Sequence, residues 1–254
     1  VQKRALVRRP GPRLDEGLLT HLDRQPVDLE LARRQWLGYA AALQAEGWEL
    51  YEVEPADDCP DAVFVEDTAV VYGDLAVVTR PGADERKPET AGTEAALAGL
   101  GYRVAHIEAP GTLDGGDVLK HAGTVWVGLG GRTDQAGLDQ LRDHLVPLGA
   151  RVVGVPVTKV LHLKSAVTAL PDGTVIGYDP LVDDPAVFPA YFSVPEEPGA
   201  HVVLLDASTV LMSTAAPRTQ EIFESRGLRV VAVDISEYEK LEGCVTCLSI
   251  RLRG

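Results

Sequence analysis

The sequence predicts a single α/β domain in which one unit, a β-hairpin followed by a helix and a further strand, is repeated about five times. Three observations predict it. Pairs of short apolar runs joined by a turn-forming dipeptide recur along the chain, at Gly73-Asp74, Ala122-Gly123 and Asp172-Gly173. Most pairs are followed by a segment of helical periodicity and then by another apolar run. The units succeed one another at intervals of roughly 45 to 55 residues with no linker between them. Such spacing points to a circular or solenoid array rather than one doubly wound sheet.

The elements follow in order. Residues 5–8 read as a first buried strand, and 11–27 as a loop of a length that is usually functional, a candidate lid. Asp28 is placed to cap a helix over 29–46, with Leu31, Trp36, Leu37, Ala40 and Leu43 as its apolar side chains and Gly47 as its stop. A strand at 48–53 follows. A hairpin over 63–79 leads to a helix at 88–100 and a strand at 102–107. The next hairpin, 117–128, is followed by a helix that Thr133 caps, running to about Leu148 with Gly149 as its stop, and by a strand at 151–157. The hairpin over 165–177 opens onto a proline-rich loop, 178–199, without periodicity. Residues 202–212 form a further hairpin, 217–225 a helix and 228–234 a strand. The tail reads as a short helix halted at Gly243, then an apolar strand with Cys247 at its start.

Composition narrows the function classes. Hydrophobic residues make up 45% and charged residues 24% of the 254, the balance of a globular protein with a sizeable core. No apolar run approaches the ~20 residues that cross a bilayer, and the first residues read as a strand rather than a signal peptide. A formal net charge of -14 argues against nucleic acid and suits a cationic small substrate. Three cysteines form no disulfide framework, so a reducing cytoplasm is expected. The sequence leaves the oligomeric state open, a homodimer among the options.

Four segments carry polar residues that half-buried strands should not want. They are Asp61 to Asp67, Leu113-Asp114-Gly115-Gly116-Asp117, His162-Leu163-Lys164-Ser165, and the tail around Cys247. Taken singly, each has a plain explanation. Asp114-Gly115-Gly116 could be a turn, Glu66-Asp67 a solvated loop, His162 a satisfied core histidine and Cys247 a small core residue. Their shared position before or at the start of a hairpin's first strand sets them apart, because in a closed array those starts converge on one pocket. Cys244-Val245-Thr246-Cys247 has the spacing of a redox or metal pair, yet in an extended strand residues three apart face opposite ways.

Phe64-Val65-Glu66-Asp67-Thr68, Leu113 to Leu119, His162 to Thr168 and Thr246-Cys247-Leu248-Ser249, four motifs in register over nearly the whole chain, resemble the dimethylarginine dimethylaminohydrolases, or dimethylargininases, of the amidinotransferase and arginine deiminase superfamily. The resemblance implies a five-bladed, pseudo-fivefold α/β propeller of ββαβ units. It also implies hydrolysis of free N-methylated arginine to citrulline and a methylamine without a cofactor or metal. By position, Cys247 matches the family's nucleophile, His162 its general acid/base and Asp114 its third active-site carboxylate, where some relatives carry Glu. The substrate contacts it implies are Leu14 in the lid, Asp61, Glu66, Asp67, Arg86, Arg132 and Leu241.

The chemistry suits these residue types. Carboxylates accept guanidinium N–H groups in a bidentate fork, and Asp67 and Asp114 are the candidates for that grip. A thiolate attacks the central carbon and an imidazolium protonates the departing amine. Arg86 and Arg132 would bind the α-carboxylate, while Asp61 and the Leu14 carbonyl would hold the α-amino group. Arg86, inside Asp84-Glu85-Arg86-Lys87, could equally belong to a surface charge run. Two other classes stay open: the same chemistry on unmethylated arginine, and a zinc or redox protein using Cys244, Cys247 and His162. A third, a non-catalytic amino-acid binder, is disfavoured by the full Cys, His and Asp set.

Overall fold

The computed structural model describes residues 2–253. Its first elements are β1 (Lys3–Val7), helix α1 (Leu29–Ala45) and β2 (Glu49–Glu52). Next come β3 (Ala69–Tyr72), β4 (Leu75–Val78), α2 (Thr90–Gly99) and β5 (Arg103–His106), then β6 (Val118–His121), β7 (Thr124–Leu129), α3 (Gln135–Leu145) and β8 (Arg151–Pro156). A single helical turn, α4 (Leu163–Ala166), precedes β9 (Val167–Ala169), β10 (Val175–Gly177) and β11 (Tyr191–Ser193). The chain ends with β12 (Val203–Leu204), β13 (Thr209–Ser213), α5 (Pro217–Ser225), β14 (Arg229–Val233), the one-turn α6 (Ser236–Glu239) and β15 (Ile250–Arg253).

These strands form five separate three-stranded sheets of one pattern. In each, the middle strand has an antiparallel neighbour on one side and a parallel one on the other, as in β3–β4–β5, where Val70 faces Val77 and Val77 faces Ala105. In four sheets a hairpin supplies the antiparallel pair, and a crossover, carried by an α-helix in all sheets but β9–β10–β11, lets the third strand run parallel. One sheet joins the two ends of the chain: β15 pairs antiparallel with β1, Leu6 opposite Ile250, and β2 lies parallel to β1. The mixed α/β class and the repeated unit are therefore observed.

Several elements depart from expectation for local reasons. Residues 65–68 are a helical turn instead of strand, and the turns at 115–117 and 163–166 take in Asp117 and Ser165, where strands were expected to begin, because Glu-Asp, Gly-Gly-Asp and Leu-Lys-Ser suit turns better than a pleat. The 178–199 segment gives three 3₁₀ turns and β11 but no α-helix, its five prolines denying the amides a helix needs. Asp134, not Thr133, caps α3 by accepting the Gly137 amide at 2.7 Å. Leu37 lies on the exposed side of α1.

Helix α1 shows how the core reaches the site. Asp28 accepts the amides of Glu30 and Leu31, both at 3.0 Å, satisfying two orphan donors. Trp36, Tyr39 and Leu43 are buried beside Tyr238, Val245 and Leu248, and full burial of each apolar side chain contributes about 1.5–3 kcal/mol. The Tyr39 hydroxyl donates to the Val245 carbonyl at 2.9 Å and meets Ser249 Oγ at 2.7 Å. The helix thus clamps both flanks of Cys247.

Candidate active site

The four polar segments do converge. The Gly116 amide donates to Asp67 Oδ1 at 2.7 Å, the Leu163 amide to Asp117 Oδ1 at 2.9 Å, and the Glu66 amide to the Cys247 carbonyl at 3.1 Å. Three helical turns and the cysteine turn are therefore tied to one another by side chains and backbone of the motifs themselves. Gly116 is required by closeness: a Cβ there would stand 2.6 Å from Asp67 Oδ1 and 2.7 Å from His162 Nδ1.

A small pocket lies where they meet. It is lined by Leu18, Asp61, Phe64, Asp67, Arg86, Arg132, Leu161, His162, Leu241, Glu242, Gly243 and Cys247. Asp61, Asp67, Arg86, Arg132, His162, Leu241 and Cys247 of the expected set are thus brought together. Its volume is about 20 Å³, room for a water or so, whereas small-molecule sites usually enclose roughly 300–1,000 Å³. An amino acid can enter only if a wall moves.

One wall is brought by Leu18, at the head of the 18–22 stretch of the 11–27 loop. Asp61 Oδ2 accepts the Leu18 amide at 3.0 Å. Glu242 Oε1 accepts the amides of Thr20 at 2.9 Å, His21 and Leu22 at 2.8 Å, while Glu242 itself sits at φ 59°. A non-glycine residue held there is a strained backbone kept for a purpose. Gly243, expected as the helix stop, serves otherwise: a Cβ on it would collide with the Phe64 ring.

Charge is organised in pairs. His162 Nε2 lies 2.9 Å from Asp114 Oδ2, whose other oxygen accepts the Gly82 amide at 2.9 Å. Burial works against the imidazolium, but the Asp67 charge and the Asp114 hydrogen bond outweigh it and push His162 up to about 9. Asp67 is buried, yet His162, Arg86 and the Gly116 amide hold its carboxyl well below the usual range. Burial pushes Asp61 up, and Asp117 up to about 6.

Four expected residues are placed differently from their expected parts. Asp114 is absent from the pocket lining, its oxygens committed to His162 and Gly82, so it backs the histidine instead of gripping a guanidinium. Leu14 is packed in the core with its carbonyl accepting the Gly17 amide; Leu18, four residues on, reaches the pocket. Glu66 turns away, its Oε1 2.6 Å from Lys164 and 2.7 Å from Arg251. Arg86 lines the pocket but its fork is committed: 3.1 and 2.8 Å to Glu89 and 2.5 Å to Asp67. Arg132, by contrast, makes no hydrogen bond among the described residues, its nearest anion being Asp114 at 3.9 Å.

Leu18, Phe64, Leu161 and Glu242 line the pocket without having been expected to, although Leu18 falls in the 11–27 loop and Phe64 at the head of the first motif. Cys244 also differs from expectation. Residues 244–248 form a turn, with the Cys247 amide on the Cys244 carbonyl at 3.1 Å, so the two sulfurs lie 3.4 Å apart on one side. Their protons are shared as a pair: hydrogen bonding from Cys247 lowers Cys244, and the same bond plus burial pushes Cys247 up.

For metal, the one group with ligating atoms in mutual reach among the described residues is Asp67, Asp114 and His162. Those atoms already serve one another, Arg86 and backbone amides. The zinc set drawn from Cys244, Cys247 and His162 is not assembled.

No family model matches the chain. It is 63% identical over 251 residues to an N(G),N(G)-dimethylarginine dimethylaminohydrolase of Streptomyces coelicolor, covering 99% of this chain and 97% of that protein. The chain belongs to the dimethylarginine dimethylaminohydrolase family. A Pseudomonas aeruginosa member is 33% identical over 98% of this chain and 99% of its own. The Pseudomonas enzyme's structure in complex with citrulline superposes with a TM-score of 0.91 at 32% identity, over 99% and 100% of the two chains. The N-terminal domain of ArgZ, a cyanobacterial arginine dihydrolase, shares the fold with a TM-score of 0.88 at 20% identity.

Proposed function

We propose that this protein hydrolyses free dimethyl- or monomethylarginine to citrulline and the corresponding methylamine, through a covalent intermediate on Cys247. The observation that carries the reading is the joint placement of Cys247, His162, Asp67 and Arg132 on one pocket, in a chain 63% identical to a dimethylarginine dimethylaminohydrolase. The five like sheets, with both chain ends in one of them, fit a single-domain five-bladed α/β propeller.

The roles follow from charge. Asp67, ionised and rigidly held, pairs with the substrate guanidinium and turns its carbon toward Cys247. The bound cation favours the thiolate, which attacks that carbon. His162, an imidazolium at neutral pH, protonates the departing methylamine and leaves a thiouronium on the sulfur. The neutral imidazole then takes a proton from water, whose oxygen adds to the same carbon; the thiolate leaves and citrulline is released. Asp114 keeps His162 oriented and charged. Arg132, which makes no hydrogen bond among the described residues and stands 3.9 Å from Asp114, takes the α-carboxylate, and Asp61 takes the α-amino group. Leu18 and Leu241 enclose the aliphatic chain. Lid opening at 18–22 admits substrate, and closure excludes water from the first step.

Citrulline formation from asymmetric dimethylarginine, monomethylarginine and arginine, side by side at equal enzyme, tests this. Higher kcat/KM on the methylated substrates is expected. Preference for arginine would move the protein to the deiminases with the same residues, and no citrulline from any would end the proposal.

A further inference from the structure

Cys244 has no part in this chemistry and does not line the pocket, yet its sulfur is 3.4 Å from that of Cys247. The surroundings hold the two sulfurs together. The Cys244 amide donates toward Cys247 Sγ at 3.4 Å, and the Thr246 hydroxyl meets Cys244 Sγ at 3.3 Å. The Cys247 amide closes the turn on the Cys244 carbonyl at 3.1 Å. Such a turn keeps its first and fourth Cα atoms within about 7 Å, and disulfides commonly span about 4.4–6.8 Å. Bringing the sulfurs from 3.4 Å to the ~2.0 Å of a bond asks for side-chain rotation, with no strand to displace.

We propose that Cys244 and Cys247 are a reversible disulfide-forming pair through which a hydroperoxide switches the enzyme off and a thiol reductant restores it. In the first step the Cys244 sulfur, 3.4 Å away, takes the Cys247 proton, and the Cys247 sulfur attacks the peroxide O–O bond; the departing oxygen takes a proton from solvent, giving a Cys247 sulfenic acid and water or an alcohol. In the second, the Cys244 sulfur attacks the sulfenic sulfur, the S–O bond breaks, and the hydroxyl leaves as water with the Cys244 proton. The sum is two thiols and one peroxide giving one disulfide, one water and one further water or alcohol. The protein loses two hydrogens and the peroxide is reduced. The pair also protects the nucleophile, because capture by Cys244 competes with further oxidation to the irreversible sulfinic acid.

Access sets the oxidant class. Both cysteines are buried, and Cys247 opens only onto a cavity of about 20 Å³, which admits a molecule the size of hydrogen peroxide. A large disulfide such as oxidised glutathione is excluded while the lid is latched. The inactivation arm rests on Cys247 being the nucleophile, whereas the mass arm does not.

The test treats fully reduced protein with hydrogen peroxide, then dithiothreitol, reading turnover, intact mass and peptide maps; Cys244→Ser runs in parallel, each protein scored against its own reduced sample. Wild type is expected to fall to the turnover of Cys247→Ser, lose two hydrogens in a 244–247 link, and recover with dithiothreitol. Cys244→Ser is expected to gain oxygen on Cys247 and stay inactive. Wild type that gains oxygen without a 244–247 link, or Cys244→Ser that recovers as fully as wild type, overturns the proposal. A 244–247 link without loss of turnover keeps the pair and removes Cys247 as nucleophile.

Discussion

Glu66 and Asp67 are neighbours in the chain and face two different cavities. Asp67 looks into the pocket of about 20 Å³ with Cys247, His162 and Arg132. Glu66 looks into a cavity of about 260 Å³ lined by Lys120, Lys164 and Arg251 among apolar strand residues. The larger space has its cations committed, and Glu66 Oε2 is the one buried polar side-chain atom on its lining without a partner among the described residues. Of its cations, Lys164 and Arg251 are paired with Glu66, and Lys120 Nζ rests on the Val71 carbonyl at 2.5 Å. The smaller pocket keeps an uncommitted Arg132, an imidazolium against two carboxylates and a thiol. Void size reports where the packing is loose; unfinished polar chemistry reports where a ligand is due.

Substitutions on the two sides should therefore separate activity from stability. Cys247→Ser should cut kcat by about 10⁴-fold or more, the scale at which nucleophile removal usually falls, measured as citrulline release at saturating substrate. A residual rate within tenfold of wild type would break the nucleophile assignment. Asp114→Asn keeps the shape and removes the charge behind His162, so kcat should drop about 10²-fold. Because His162 is raised to about 9, wild-type activity should decline only as pH climbs through that value. In Asp114→Asn the decline should begin at lower pH, and an unmoved alkaline limb would contradict the pairing.

Arg132→Ala removes one charge-assisted contact worth about 1.5–3 kcal/mol, so KM should rise about 10- to 100-fold with kcat little changed. A kcat collapse at constant KM would place Arg132 in the chemistry. Glu242→Ala unlatches the lid: amides of residues 20–22 should exchange faster with solvent, and KM should rise by up to about tenfold. On the far side, Lys164→Met leaves Glu66 with only Arg251. It should cost about 3 kcal/mol of stability, seen as a lower Tm, while kcat/KM stays within about threefold. Loss of activity without loss of stability would show the two cavities to be coupled.

Legibility in the sequence was uneven for physical reasons. Turn glycines at 73, 123 and 173, all at positive φ, mark hairpins because few other residues tolerate that backbone. The cap of α1 comes from nearest-neighbour hydrogen bonds, and the periodicity of α1 and α5 from the helical repeat, so those elements appeared almost in place. The helical turns before β3, β6 and β9 did not, because their conformation is set by partners 46 to 49 residues away: Gly116 on Asp67, His162 on Asp114, Leu163 on Asp117.

The kinds of residue available to the site, and the repeated unit that carries them, were written locally: a thiol, a histidine and carboxylates at the starts of hairpins. Which way each side chain points was not. Whether Glu66 or Asp67 meets the substrate, whether Arg86 or Arg132 is free, and whether two cysteines three apart share a face all depended on charges and backbone brought from distant parts of the chain. In a buried site each donor and acceptor must find a partner, and only the folded chain determines which partners are within reach.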